Sequence, residues 1–184
     1  MKFRNAEAKT GDRVDYLIVD GYNIIFSWSM LKKIADYSLD DARDKLIHIL
    51  SNYRGVSQKE IIVVFDAHNV RGSLGSDTKD GGIAVVFTRE SVTADQYIER
   101  TVAKLSKTDS ITVATSDFLE QIIVISRGAR RISANDLLYD IEKANEKIRA
   151  HIEHAKPVKN NLFGDNLDHE TAEWFEALRM KKTN

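Results

Sequence analysis

Residues 15–23 read Asp-Tyr-Leu-Ile-Val-Asp-Gly-Tyr-Asn, a short apolar run that ends in a carboxylate and a glycine. The run is too short for a buried helix, so it predicts a buried β-strand over residues 15–20. Gly21 is expected to form a turn, and a helix is expected to begin near Ile24. Ending an apolar strand with Asp20 buries a charge without an evident local partner, which favours a functional role for this carboxylate.

The alternation of strand and helix continues along the chain. Further strands are predicted over residues 60–66, 83–88, 111–115 and 129–132. Helices are predicted over residues 38–54, 93–107, from 116 or 117 towards 126, and 133–154. This alternation predicts an α/β fold, a three-layer α/β/α sandwich whose central sheet is mostly parallel.

Three segments depart from the alternation. Residues 1–13 are polar and predict a mobile leader before the domain at 14–155. Residues 156–184 predict a linker followed by a C-terminal amphipathic helix. The glycine-rich segment 67–82 has no apolar period, so it predicts a long flexible loop.

The composition narrows the classes of function. The formal net charge is −1, from 27 basic and 28 acidic residues, so no global positive field indicates nucleic acid, although a local basic rim stays possible. The absence of cysteine excludes disulfides and thiolate zinc sites and fits a reducing cytoplasm. No apolar stretch approaches the roughly 18 residues that span a bilayer, so no membrane partner is expected.

Carboxylates follow the predicted strands or begin the helices after them, at Asp20, Asp66, Asp95 and Asp117. The carboxyl ends of parallel strands meet at one edge of the sheet, where binding sites form. Carboxylates this close would raise one another's pKa unless a cation lay between them, and Mg²⁺ or Mn²⁺ prefers such oxygen ligands. Asn23 and Ser116 could add neutral oxygens, and Glu99 lies one helical turn after Asp95. The set points to phosphate chemistry.

Each carboxylate also has an ordinary structural explanation. Asp117 could cap the next helix, Asp66 could close a turn, and Glu99 could pair with Arg100 or Lys104. The first strand lacks the Asp-x-Asp of aspartyl phosphatases and the paired acids of receiver domains. No glycine-rich phosphate loop is present, so no nucleotide cofactor is expected.

Contact with RNA would require local basic and aromatic groups. Tyr22 and Trp28 could stack on bases or pack in the core, and His68 could touch substrate or belong to a turn. The basic candidates for RNA or ribosome contact are Arg71, Lys79, Arg89, Arg127, Arg130 and Arg131.

Together these motifs resemble the NYN branch of the PIN-like nucleases, most closely the YacP-like bacterial family. The resemblance covers roughly residues 14–155, and the leader before Val14 is longer than usual for the family. It rests on Val-Asp-Gly-Tyr-Asn at 19–23, Val-Val-Phe-Asp-Ala-His at 63–68, Phe-Thr at 87–88, Thr-Ala-Asp at 93–95 and Ala-Thr-Ser-Asp at 114–117.

The resemblance implies a PIN-like sandwich and a metal-dependent endoribonuclease that cleaves mRNA by phosphodiester hydrolysis, in association with the translating ribosome. It implies that Asp20, Asp95 and Asp117 hold Mg²⁺ or Mn²⁺, supported by Asn23 and Asp66. A ribosome that presents the RNA would relieve the difficulty of the nearly neutral net charge. The alternatives are a non-catalytic RNA- or ribosome-binding adaptor, a toxin-like tRNA nuclease and a structure-specific DNA nuclease.

Overall fold

The computed structural model describes residues 13–66, 76–89, 91–105, 109–117, 126 and 128–154. The chain divides into two compact units, residues 1–145 and 146–184. The expected leader, linker and C-terminal helix lie outside the described residues, except for Arg13, so the predicted domain boundaries stay predictions. None of the helices in these ranges combines the length and the apolar character that crossing a bilayer requires.

Six strands form one sheet in the described part of the chain. They are β1 (Asp15–Asp20), β2 (Glu60–Phe65), β3 (Ser76–Asp80), β4 (Ile83–Phe87), β5 (Ser110–Ala114) and β6 (Arg130–Ile132). Their order is β3-β4-β2-β1-β5-β6, and every neighbouring pair is parallel except β3 with β4. The chain order reverses between β1 and β5, which is where ligands bind in sheets of this kind.

Helices cover both faces of this sheet, which confirms the predicted α/β class. Within the described ranges they are α1 (Gly21–Ser27), α2 (Ser29–Ala35), α3 (Leu39–Ser57), α4 (Ala94–Leu105) and α5 (Ala134–His154). Leu17 and Val19 of β1 pack with buried residues of α1, α2, α3 and α5. Tyr16 and Ile18 face the other way and pack with α4. A strand buried on both faces explains the unbroken apolar run in the sequence.

The start of α1 differs from the sequence expectation. Gly21 is the first residue of the helix, and Asp20 caps it by accepting a hydrogen bond from the backbone N–H of Asn23 at 3.2 Å. The expected turn at Gly21 and the expected helix start near Ile24 were therefore wrong. Asp20 also has the local partner that the sequence did not show. A Cβ on Gly21 would lie 2.2 Å from the ring of Phe65, so glycine is required by this close approach.

The segment 67–82 is not one loop, because residues 76–80 form β3, paired antiparallel with β4. Gly81 and Gly82 connect the two strands with φ angles of +54° and +83°. Positive φ at both central residues is the geometry of a tight hairpin turn, which glycine adopts without strain. Residues 67–75 lie outside the described ranges.

Candidate active site

At the carboxyl edge of the sheet, every second side chain lies on the face that α4 covers. Ile18 and Val64 belong to the core beneath α4, and alternate residues of a strand share a face. Asp20 and Asp66, two positions later, therefore continue the same face at the ends of β1 and β2. Asp20 is only 9% exposed. The predicted meeting of strand-end carboxylates at one edge thus has a direct geometric cause.

A hydrogen bond brings the first turn of α4 to this edge. The backbone N–H of Ala94 donates to Oδ2 of Asp66 at 3.2 Å. The neighbouring residue is Asp95, so its carboxylate is held close to the end of β2. Asp66 thus anchors a helix that begins 28 residues later in the chain.

A second set of hydrogen bonds fixes the segment after β5. The backbone N–H of Ser116 donates to Oδ1 of Asn23 at 2.8 Å. The N–H of Asp117 donates to Oγ1 of Thr115 at 3.1 Å. These contacts tie the end of β5 to α1 and place Asp117 at the same edge as Asp20.

Electrostatics shows that the four carboxylates lie within reach of one another. The pKa of Asp20 is raised from 3.8 to about 6, chiefly by burial and then by the charges of Asp95, Asp66 and Asp117, against the lowering effect of the Asn23 hydrogen bond. Burial also raises the pKa of the more exposed Asp95, followed by the charges of Asp117 and Asp66. A concentration of negative charge of this kind is typical of functional sites.

The carboxylate oxygens of the acidic edge are suitable ligands for a hard divalent cation, although the side chains do not form a complete coordination shell. No three His, Cys, Asp or Glu side chains in the described ranges are grouped as a ready metal site. Asp95 and Asp117 are exposed, whereas Asp20 is buried. Carboxylate oxygens are the ligands of Mg²⁺ and Mn²⁺, and a cation would relieve the repulsion that raises the pKa of Asp20.

Both aromatic candidates belong to the core. Tyr22 is 7% exposed, accepts a hydrogen bond from the Arg43 guanidinium at 2.7 Å and packs edge-on against Phe65. Trp28 is 2% exposed, and its Nε1–H donates to the carbonyl of Ala134 at 2.8 Å. The packing alternative is therefore the correct one, and neither ring is available to stack on a base.

The basic candidates are scattered. Arg89 lines a cleft beside α4, whereas Lys79 of β3 lies opposite Ala84, near the start of β4 and away from the acidic edge. Arg130 and Arg131 are exposed on β6, the strand that pairs with β5. Arg71, Arg127 and His68 lie outside the described residues. RNA or ribosome contact by any of them stays a prediction.

Two buried threonines complete the edge and were not among the predicted site residues. Thr115 is fully buried and Thr88 is 2% exposed. Both occupy the strand-end position on the face that α4 covers. The alternation of β4 and β5 carries this signal, but a threonine after a strand is too common to single out from sequence alone.

The chain belongs to a family of nucleases, because residues 17–180 match the YacP-like NYN domain family. The YacP protein of Bacillus subtilis is 39% identical over 140 residues, which cover 76% of this chain and 82% of that protein. The crystal structure of Bacillus subtilis Rae1 (YacP) matches with a TM-score of 0.66 and 36% identity, over 91% of this chain and 95% of that one. A variant of it with Trp replaced by Leu matches with a TM-score of 0.68, over 82% and 89%. The predicted family and the predicted α/β fold with a mostly parallel sheet are confirmed.

Proposed function

We propose that this protein is a metal-dependent endoribonuclease that cleaves mRNA by phosphodiester hydrolysis, in association with the translating ribosome. Membership of the NYN family supports the nuclease class. One observation carries the choice of site: the pKa of Asp20 is raised to about 6 by burial and by carboxylates from three other segments of the chain. A cluster of carboxylates at the switch point of a parallel sheet is suited to a cation and a phosphodiester.

In this proposal Asp20, Asp95 and Asp117 hold Mg²⁺ or Mn²⁺. The ion would supply an activated water and neutralise charge on the phosphate. Asn23 and Asp66 position the other carboxylates. Asp66 accepts a hydrogen bond from the backbone N–H of Ala94, next to Asp95, and Asn23 accepts one from the backbone N–H of Ser116, next to Asp117. The cap contact from the Asn23 N–H likewise fixes the Asp20 carboxylate.

The proposal that the substrate is mRNA on the ribosome rests on the family resemblance and on the nearly neutral net charge of the chain. A chain with a net charge of −1 gains little from non-specific attraction to a polyanion. A ribosome that holds the mRNA supplies the local concentration that the protein's own field does not. The cytoplasm, where translation occurs, is the proposed location.

The test compares cleavage of an mRNA during translation in vitro with cleavage of naked mRNA, tRNA and flapped DNA, with and without Mg²⁺ or Mn²⁺. We expect metal-dependent cleavage of the translated mRNA. Asp95→Asn should reduce cleavage by about 100-fold or more, since even groups that only support metal ligands contribute 10–100-fold.

Asp36→Asn provides the matched control. Asp36 is an exposed carboxylate at the end of α2, and its charge is not among those that raise the pKa of Asp20 or Asp95. This variant should cleave as the wild type does. The proposal is contradicted if Asp95→Asn keeps full activity, or if the wild type cuts no RNA with either metal.

A further inference from the structure

A cleft of about 320 Å³ opens where the end of β4 meets α4. Its lining combines apolar and basic side chains, which include Phe87, Val92, Tyr97, Arg89 and Arg100. The volume lies within the range of pockets that accept small molecules or single units of a polymer. None of the four carboxylates of the acidic edge lines this cleft, so the cleft is a feature separate from them.

The two arginines, Arg89 and Arg100, make the cleft positively charged. Arg89 and Arg100 are both exposed, and neither guanidinium makes an ion pair or a hydrogen bond in the described part of the chain. An arginine keeps its charge under all ordinary conditions, and its planar fork of donors matches the oxygens of a phosphate. Two such groups on one cleft favour an anionic ligand.

The position of the cleft connects it to the acidic edge. Phe65 of β2 pairs with Phe87 of β4, so Thr88 in the cleft wall lies opposite Asp66. The Thr88 backbone N–H donates to the Phe65 carbonyl at 2.9 Å, which extends the pairing to this position. Neighbouring strands are about 4.8 Å apart. The cleft therefore begins one strand away from Asp66.

A nucleic acid substrate needs a basic contact near four carboxylates. The acidic edge repels the phosphates on either side of the bond to be cut, even when a cation holds the scissile phosphate itself. With a net charge of −1 the whole chain provides no compensating attraction. A pair of arginines one strand away supplies it locally.

We propose that this arginine cleft binds a phosphate of the single-stranded RNA substrate, next to the phosphate that is cleaved, with Arg89 and Arg100 as its donors. The inference rests on the proposed nuclease function and deepens it, because it assigns a substrate subsite. The cleft sets the position of the strand relative to the acidic edge.

The test measures binding of a short fluorescein-labelled single-stranded RNA by fluorescence anisotropy. The protein carries Asp95→Asn, which prevents cleavage, and Mg²⁺ is present. Arg89→Gln and Arg100→Gln should each weaken binding about tenfold, as expected for a lost charged hydrogen bond. The double variant should lower the slope of log K against log salt by about 0.7, the value for one phosphate contact with a single strand.

Lys104→Gln is the matched control, because Lys104 is an exposed cation on the same helix and does not line the cleft. It should change affinity by less than about twofold. Equal weakening by Lys104→Gln would assign the effect to a diffuse field and overturn the inference. Unchanged binding by the arginine double variant, with an unchanged melting temperature, would also overturn it.

Cleavage by the otherwise wild-type chain separates this inference from the function it rests on. If the wild type cuts RNA and the arginine double variant cuts with the same KM, only the cleft assignment fails. If the wild type cuts no RNA, the nuclease proposal itself fails. We expect cleavage by the wild type and a raised KM in the double variant.

Discussion

Gly21 is the residue that sets α1 closely against the sheet. Its missing side chain makes room for the ring of Phe65, which is fully buried against Tyr22 and Phe87. An added Cβ would lie 2.2 Å from that ring. Because the ring has no free space, Gly21→Ala should lower the free energy of unfolding by about 1–3 kcal/mol.

Gly55 in α3 provides the control for this substitution. Nothing lies within 4 Å of a Cβ built on Gly55, so Gly55→Ala should raise the free energy of unfolding by about 0.5–1 kcal/mol through helix propensity. Urea denaturation measures both changes. A Gly21→Ala protein as stable as the wild type would contradict the close packing of α1 on Phe65.

Asp20 makes stability depend on pH. Its pKa is raised from 3.8 to about 6 in the folded chain, so the fold favours the protonated acid. Its favourable contribution is fully present below pH 3.8 and is lost as the pH rises through about 6. The shift of about two pH units corresponds to a loss on the order of 3 kcal/mol at neutral pH.

Asp20→Asn tests this dependence in the absence of divalent ions. Asparagine caps a helix as well as aspartate does, and it removes the charge. At about pH 7.5 the variant should exceed the wild type in free energy of unfolding by up to about 3 kcal/mol, and near pH 3.5 the two should agree. Denaturant titrations across this pH range measure both free energies of unfolding. Equal stability of the two proteins at neutral pH would contradict the claim that the buried charge of Asp20 destabilises the fold.

At the scale of elements, single hydrogen bonds join segments that are distant in sequence. Asn23 of α1 holds the chain after β5 through the Ser116 N–H, 93 residues away. Asn23→Ala should lower stability by about 1 kcal/mol, a fall of roughly 2–4 °C in melting temperature. It should lower cleavage about tenfold or more, because Asp117 loses its position.

Ser27→Ala is the control, since the Ser27 and Ser116 hydroxyl oxygens are 3.5 Å apart, a much weaker contact on the same helix. This variant should cleave within about twofold of the wild type. Thermal melting and cleavage rates measure both effects. An Asn23→Ala enzyme with full activity would show that this link does not position the site.

The elements that the sequence predicts well are those that an apolar run marks. The buried strands β1, β2, β4 and β5 lie within one residue of their predicted ends, because a parallel strand covered on both faces must be apolar. β3 has the polar sequence Ser-Asp-Thr-Lys-Asp, so no hydrophobic pattern predicts this strand. Its pairing depends on the Gly81–Gly82 turn, and a Gly-Gly pair before an apolar run was the available signal.

At the scale of the whole molecule, the positions of carboxylates after parallel strands were enough to predict that Asp20, Asp66, Asp95 and Asp117 approach one another. The need for Gly21 depends on a tertiary contact with Phe65, which no local pattern contains. The cap contact of Asp20 with the Asn23 N–H is local, but the sequence expectation placed the helix start too late to include it. Arg89 was among the predicted RNA or ribosome contacts, but its place beside Arg100 in one cleft was not predictable, because an exposed Arg100 on an amphipathic helix resembles an ordinary solvated residue.

The charge of the molecule is organised rather than uniform. A net charge of −1 combines an acidic edge at the centre of the sheet with the two arginines of the cleft, which begins one strand away. This arrangement suits a substrate that carries both a reacting phosphate and flanking ones. We expect a divalent cation to be the partner that makes the acidic edge able to receive such a substrate.

Binding of Mn²⁺ to the purified protein, followed by the electron paramagnetic resonance signal of the free ion, tests that claim most directly. The wild type and Asp36→Asn should both remove free Mn²⁺ from solution, and Asp20→Asn should bind it at least about tenfold more weakly. A wild-type protein that leaves Mn²⁺ free, or an Asp20→Asn protein that binds it as tightly as the wild type, would contradict the claim that these carboxylates hold a cation.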